Sequence, residues 1–435
     1  MKVQGLLRAC LLAAACVPVI SVAQDTTWTL ERCLSEAVTR SPRLRAGTRT
    51  VQAAEAAARG ARADRLPTLG TTASYSYTSE TMELDIPLPT IPGYTPPRVS
   101  FGDGNVYDLA VSARVPIFAG HTVRERARAE TEAWQAAQND FAADSLKLLY
   151  EVRRAYFVTV GAEAQVETAR RNSERLERHL QELVGAKDIG FRSEEDRVAA
   201  VARSKQAESA LLAAESDAQA ARLALGNLVG ASGAEIRPDG DLSARLVSDA
   251  TTEVRLESRP EVTALAARMR QSDHIAKAST GTLFPSLAAT AAYHYGKPGV
   301  NQTQNDWMDY YTLGVNASWT LWDWRARAHR AAQARALARV LDARQTDLIN
   351  AIQTLQATSR EALAAAQSIL IKSSERLDLD RRRLTMVEGR YRAGMASESE
   401  YLDAQDDLAD AETNVTAARV RLRLAEADLL YASGH

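Results

Sequence analysis

The chain has 435 residues, 46% of them hydrophobic and 25% charged, and its 53 basic and 55 acidic side chains give a formal net charge of −2. That near balance makes no electrostatic case for nucleic acid. The six histidines (His121, His179, His274, His294, His329 and His435) have no metal-ligand spacing, and neither a phosphate-cradling glycine loop nor a nucleophile motif stands out, which argues against an enzyme.

At the N-terminus, Lys2 and Arg8 flank an apolar run from Leu11 to Val22, and small residues Ser21-Val22-Ala23 precede Gln24, so residues 1–23 read as a secretory signal peptide. Cys16 follows Ala13-Ala14-Ala15, but Leu12 stands four rather than three positions before it, so the match to a lipid-attachment signal is incomplete. Cleavage after Ala23 removes Lys2 and Arg8, leaving 51 basic against 55 acidic residues and a net charge of −4. It also leaves Cys33 as the one cysteine, so no intrachain disulfide can form and stability must come from packing and assembly. Cys33 reads as a small buried hydrophobe on a helix rather than a reactive thiol. No stretch after Gln24 reaches the roughly 18 consecutive apolar residues of a membrane-spanning helix, so any crossing has to use strands.

A first helix is predicted over Leu30 to Arg65, where Ala53, Ala54, Ala56, Ala57 and Ala58 give strong propensity, and Pro67 ends it. From Leu69 to Thr78 the period changes to two, with Leu69, Thr71, Ala73, Tyr75 and Tyr77 on one face. A Pro-rich insert, Ile86 to Pro97, follows and reads as a surface loop. A second alternating strand, Tyr107 to Ile117, carries Tyr107, Leu109, Val111, Ala113, Val115 and Ile117 on its apolar face. Next comes a helical pattern without proline from about Gly120 to Lys187, a turn at Gly190, and a helix of about half that length from Glu194 to Val229. At about 1.5 Å per residue the longer pattern makes a rod of about 100 Å, which has to be a coiled coil or a wall.

Gly230 to Arg259, with its Arg237-Pro238-Asp239-Gly240 turn, reads as a linker, and then the same series returns. Pro42 and Pro260 are 218 residues apart, as are Pro67 and Pro285; Gly190 and Gly394 are 204 apart, as are Ser193 and Ser397, and Gly230 and Gly434. The register breaks once, where the first copy carries its insert. The predicted organisation is therefore a signal peptide over 1–23, a first repeat over 24–230, a linker over 231–258 and a second repeat over 259–435, two copies packed with pseudo-symmetry. The second copy has its own strands, Leu287 to Tyr295 and Tyr311 to Leu321, a rod from about Trp324 to Arg392 and a last helix from Glu398 to Tyr431. Arg381-Arg382-Arg383 in that rod reads as a solvated face.

Four strands of about ten residues with apolar-out, polar-in alternation have the pattern of an outer-membrane barrel, although a sandwich core alternates similarly. Aromatics near the strand ends, including Tyr75, Tyr77, Tyr293, Tyr295, Trp307, Trp319, Trp322 and Trp324, favour the barrel. Four strands cannot close, and an open edge in lipid leaves backbone groups without partners. Three copies would supply twelve strands around one channel.

The doubled Leu66-Pro67 and Phe284-Pro285, the Val115-Pro116-Ile117-Phe118-Ala119-Gly120 exit into a long helix, and Arg390-Tyr391-Arg392-Ala393-Gly394 followed by Ser397 and Tyr401-Leu402-Asp403-Ala404-Gln405 carry a resemblance. The chain resembles the TolC family of outer-membrane efflux proteins over nearly its whole mature length. That resemblance implies an α+β membrane protein: a homotrimer with a twelve-stranded barrel in outer-membrane lipid, continued by a periplasmic barrel of twelve helices that tapers to a closed tip. It implies docking of the tip to a periplasmic adaptor protein and through it to an inner-membrane transporter, with no cofactor. By register the docking tip falls on Ile189, Gly190, Phe191, Ala393, Gly394 and Met395. The acidic pore constriction falls on Glu400 and Asp403, with Asp196 the first-copy equivalent of Glu400. Residues three apart share a helix face, so three copies of Glu400 and Asp403 would bring six carboxylates into a narrow lumen, where cations are attracted and anions repelled. Tyr391 is retained as the gate-helix contact, whereas Ala396 stands where relatives can carry arginine, so a latch through that arginine is missing. Small-molecule efflux is the expected use. Type I protein secretion is the alternative, and a periplasmic helical scaffold is a reading from a different class that leaves the strands unexplained.

Overall fold

The structure, a computed structural model, describes residues 27–80, 82–84, 99–101, 103–187, 193–233, 236–242, 256–301 and 304–435. The signal peptide, Cys16, the insert Ile86 to Pro97, and the tip residues Ile189, Gly190 and Phe191 lie outside these described residues.

A short strand β1 (Thr27–Trp28) leads into α1 (Leu30–Arg40) and α2 (Pro42–Ala63). The single helix expected from Leu30 to Arg65 is thus two helices. Pro42 has no N–H to continue the ladder, and Ser41 turns out of helical geometry and accepts a hydrogen bond from the Leu44 N–H at 3.4 Å. Strand β2 (Thr68–Tyr77) follows, then the short antiparallel pair β3 (Met82–Leu84) and β4 (Val99–Phe101) that bounds the Pro-rich insert, then β5 (Asn105–Ala119). The rod α3 (Thr122–Lys187) has 66 residues and α4 (Glu194–Val229) has 36. After β6 (Arg237–Pro238), which pairs in parallel with β1, a short 3-10 turn leads to α5 (Pro260–Gly281), β7 (Ser286–Lys297), β8 (Met308–Ser318), α6 (Ala326–Arg392, 67 residues) and α7 (Glu398–Ala432). β8 stops three residues short of the expected Leu321; the Trp319 indole N–H instead donates to the Leu283 carbonyl at 3.1 Å.

The duplication is visible in backbone geometry. Each strand-to-rod junction needs two successive residues at positive φ, Gly120 (+55°) and His121 (+69°) in the first copy, Trp324 (+55°) and Arg325 (+66°) in the second. These pairs are 204 residues apart. In the second copy Arg327 anchors the junction, donating to the Asp323 carboxylate at 2.6 Å and the Thr320 carbonyl at 2.7 Å. At the first copy's junction Gly120 meets Gly281 at the end of the second copy's α5, and the two backbones come together: a Cβ on Gly120 would lie 1.9 Å from the Gly281 carbonyl oxygen.

The main sheet runs β2-β5-β7-β8, antiparallel throughout. Its register lines up the alternation seen in each strand: Leu69, Ala113, Ala291 and Leu313 form one cross-strand row, and Thr71, Val111, Tyr293 and Tyr311 the next. Gly70, Ser112, Ala292 and Thr312 form a row on the opposite face. β5 carries a bulge between Pro116 and Phe118, and its pairing with β2 ends at Arg114, so Pro116 has a ladder partner on one side only.

The largest core sits where α1, α3 and α4 meet, with Trp28, Cys33, Val152, Leu225, Val229, Ile236 and Leu242 among thirteen buried residues. Ile236 and Leu242 come from the stretch between the repeats, so this connection also contributes to the core. Each large aliphatic buried here contributes about 1.5–3 kcal/mol. Cys33 is fully buried, and loss of hydration pushes its thiol up to about 12. A maleimide at pH 8 is therefore expected to leave Cys33 unlabelled in the folded protein and to label it stoichiometrically in guanidinium; rapid labelling without denaturant would contradict this core.

Candidate functional site

Two regions carry the residues that bear on function, the sheet and the far end of the rods. On the sheet the apolar row faces outward with nothing over it: Leu69, Tyr311 and Leu313 are each more than 70% exposed in the single chain. Aromatics gather at both ends of that surface. Tyr75, Tyr107, Tyr295 and Trp307 form a chain of ring contacts 5.0 to 5.7 Å apart at one end, and Trp322 packs edge-on against Trp324 at the other. Such bands suit the two interfaces of a bilayer. Among the described residues no helix is long and apolar enough to cross a membrane. The opposite face is wetter, and there His294 lies 3.0 Å from Asp108 and stacks on Tyr310.

At the far end α6 closes through a Schellman turn: the Gly394 N–H donates to the Tyr391 carbonyl and the Met395 N–H to the Arg390 carbonyl, at 3.0 and 2.8 Å. Gly394 takes φ +76°, which glycine adopts without strain, and Met395 is exposed. α7 then starts with a reciprocal capping box, Ser397 with Glu400, and α4 starts with the matching one, Ser193 with Asp196. Both were readable as Ser-x-x-acid ahead of a helix. Glu400 and Asp196 thus occupy the third helical position of α7 and α4, where their carboxylates accept backbone N–H bonds at 3.2 Å. Glu400 is also 3.9 Å from Arg390. Asp403 lies one turn on and meets Arg203 of α4 at 3.6 Å, while Arg203 reaches Asp406 at 2.8 Å. Burial raises the Asp406 carboxyl above its ordinary range, against the pull of Arg203. Arg383 pairs with Asp407, and the arginine triplet is exposed.

Beside these exposed acids is a buried polar cluster that the sequence reading missed. His179 of α3 lies 2.6 Å from one oxygen of Glu398, the first residue of α7, and the Tyr391 hydroxyl at the end of α6 donates to the other. His179 and Glu398 are both under 5% exposed. Tyr401 stacks on Tyr391 with ring centroids 4.7 Å apart and packs on the His179 ring at the same distance. Leu176, Ala207 and Leu402 form the small apolar cluster at this end. No signal in one sequence connects His179 with a glutamate 219 positions away. Of the residues singled out from sequence, Tyr391 enters this cluster, Glu400 and Asp403 remain on the exposed side of α7, and Ala393 to Met395 form the turn above it. Among the described residues no three His, Cys, Asp or Glu side chains come together as metal ligands.

The family model described as Outer membrane efflux protein matches residues 33–231 and 253–435. Among solved structures, the outer-membrane channel OprN is 21% identical with a TM-score of 0.78 over 93% of this chain and 89% of its own. VceC from Vibrio cholerae is 19% identical at 0.78 over 93% and 96%. The open state of the MtrE channel from Neisseria gonorrhoeae is 20% identical at 0.77 over 93% and 88%. No curated protein matches the chain.

Proposed function

The chain belongs to the outer membrane efflux protein family, whose members are non-enzymatic ducts, and from that premise we propose that it is the outer-membrane exit duct of a tripartite efflux system. Three copies join their four-stranded sheets into one barrel in outer-membrane lipid, and their rods continue it into the periplasm. The observation that carries this reading is the union in one chain of an uncovered apolar sheet with aromatic bands at both ends and two helices of 66 and 67 residues, each about 100 Å long. The duct passes small toxic compounds. Substrate choice and energy come from an inner-membrane transporter reached through a periplasmic adaptor, and the adaptor docks on Ile189, Gly190 and Phe191 together with Ala393, Gly394 and Met395.

Glu400 and Asp403, with Asp196, form the cation-selective constriction. The exposure of Glu400 and Asp403 supports that role, since more than half of each side chain stays open to solvent despite Arg390 and Arg203. Their capping and pairing roles and a pore role are compatible, because an ion ring needs only fixed charge facing the lumen. The double variant Glu400→Ala, Asp403→Ala is expected to raise single-channel conductance roughly twofold or more and to weaken block by divalent cations. Unchanged values of both would remove these residues from the pore.

The first test is planar-bilayer conductance of the mature protein with its oligomeric mass measured in the same detergent. Small, cation-selective currents from a trimer are expected. A monomer that never inserts would discard the barrel and favour the periplasmic scaffold.

A further inference from the structure

We propose that a pocket on the bore side of the rods, between α3, α6 and α7, binds compounds in transit and favours small amphipathic anions, with an apolar body on the pocket wall and a negative group on Arg421. The inference rests on the duct reading and names a substrate class for it.

The pocket has a volume of about 810 Å³, within the range of about 300–1,000 Å³ that small-molecule sites occupy. Val158 of α3, Ile369 of α6, and Val420 and Leu424 of α7 supply its apolar wall, and Val158 and Ile369 are left exposed. Gly161 lines it too: a Cβ there would lie 2.2 Å from a methyl group of Val420, so the missing side chain is what lets α3 and α7 approach this closely. Most polar groups at the rim are taken. Gln165 donates to Thr413 at 3.0 Å, and Asp428 accepts from Tyr150 at 2.9 Å and pairs with Arg154. A second pocket of about 710 Å³ shares Ile369, Ala417 and Arg421 with the first, and there Lys372 is held by Glu375 and Arg376 by Asp380. Arg421 therefore borders both pockets; it is exposed and has no hydrogen-bond or ion-pair partner among the described residues. An apolar hollow beside an uncompensated guanidinium is complementary to an amphipathic anion.

Helix geometry places the pocket on the wall. On α3, Val152, Tyr156 and Val160 face the core that α1 covers, whereas Arg154, Val158 and Gln165 line the pocket; at about 100° per residue the two sets lie about half a turn apart. α4 flanks α3 on one side, where Thr159 donates to the Ala221 carbonyl, and α7 flanks it on the other, at Val420. α7 in turn meets α6, with Leu422 and Ala425 on Ala366. Three helices of one chain thus enclose the pocket, away from any seam between chains, and it opens on the face opposite α1. In a ring of rods α1 and its core lie outside, since inside they would fill the bore, and the pocket faces inward.

Distance decides where the anion comes from. Ile369 is 43 residues along α6 from Ala326 (369 − 326), about 65 Å from the sheet end of the rod and beyond the reach of membrane lipid. Arg421 is 18 residues along α7 from Asp403 (421 − 403), about 27 Å, or more than three Debye lengths at physiological salt. The acidic constriction therefore does not expel an occupant, and a compound that the transporter has driven past it is held here.

The test uses the full mature protein in phosphatidylcholine nanodiscs, with anilinonaphthalene sulfonate as the probe and empty discs as the blank. Saturable binding is expected in the wild type. Arg421→Gln is expected to weaken it about tenfold or more. Ala417→Trp, which fills the pocket from an exposed helix position, is expected to abolish it, and Arg419→Gln, which removes an equal charge outside both pockets, to leave it unchanged. Equal binding by all four proteins would overturn the site as surface adsorption, and equal loss in the two glutamine variants would overturn it as an effect of net charge. If Ala417→Trp does not assemble, the glutamine pair still decides. Planar-bilayer conductance separates the pocket from the duct. Conducting trimers that bind no probe would refute the pocket and retain the duct, whereas the expected binding pattern in a protein that never conducts would refute passage and retain the binding site.

Discussion

Gly120→Ala is expected to destabilise the protein by about 3–5 kcal/mol. Two costs add at that position. A Cβ on Gly120 would stand 1.9 Å from the Gly281 carbonyl oxygen and 3.0 Å from the Phe284 Cβ, and the first of these neighbours is backbone that cannot rotate away. The residue also sits at φ +55°, a conformation that costs alanine about 1 kcal/mol before any contact is counted. The junction cannot relax cheaply, because Thr122 just beyond it donates to the Ala278 carbonyl at 3.2 Å and so ties the start of α3 to the end of α5. Gly60→Ala supplies the comparison. A Cβ there meets nothing within 4 Å, and alanine is the better helix former, so that variant is expected to be neutral or up to about 1 kcal/mol more stable. Thermal melts of the two purified variants decide the matter, and a Gly120→Ala protein that melts with the wild type would show that the α5 end is free to move.

Arg259→Ala is expected to cost about 2–4 kcal/mol. Its guanidinium is almost wholly buried and donates to the Tyr431 and Ala432 carbonyls at 3.1 and 2.7 Å and to Glu261 at 3.1 Å, over the Tyr431 ring. Those carbonyls are the last of α7 and each has another donor, the Gly434 N–H on Tyr431 and the Gln356 side-chain amide on Ala432, both at 3.0 Å, so the arginine adds a further hydrogen bond to each and offsets the negative end of the helix dipole. Its removal takes the cation from Glu261 and a donor from each carbonyl, and leaves a cavity beside them. Arg259→Lys is expected to recover part of the loss, since an ammonium can meet one carbonyl but cannot span both and the carboxylate. Melting temperature, together with hydrogen exchange of the last turn of α7, checks this. Wild-type protection in Arg259→Ala would mean that the end of α7 is held by other contacts.

Periodicity made much of this fold legible. The alternation of Leu69 to Thr78 and of Tyr107 to Ile117 has a period of two that no helix can satisfy, and the proline-free runs that became α3 and α6 could only be helices. Repetition then placed the second copy, down to glycines such as Gly230 and Gly434, which both take positive φ. What escaped was of two kinds. Pro42 is visible, but the alanines at 53–58 argue for one continuous helix and mask its power to split it. The second kind is contact between distant segments. Arg259 reads as a residue before a proline, and only the fold brings it to Tyr431; His179 and Glu398 look like two ordinary rod residues until α3 and α7 are laid side by side.

Within the far end, resemblance and chemistry picked different acids. Glu400 and Asp403 were chosen by register, and both are exposed. Glu398, two positions earlier, has no partner visible in the local sequence, yet it is the carboxylate that the fold buries.

The sheet has a further consequence, which comes from counting. Its strands alternate in direction across the order β2-β5-β7-β8, and because four is even, the two outermost strands run in opposite senses. Copies joined head to tail therefore meet antiparallel at every seam, so the proposed ring has no mismatched joint wherever it closes. The same count makes a lone chain unfit for the bilayer, since β2 and β8 would each present a row of bare amides and carbonyls to hydrocarbon. Insertion is then a matter of mass action as much as of folding. Chains diluted below their association threshold are expected to wait outside the membrane with complete helices and an unfinished wall.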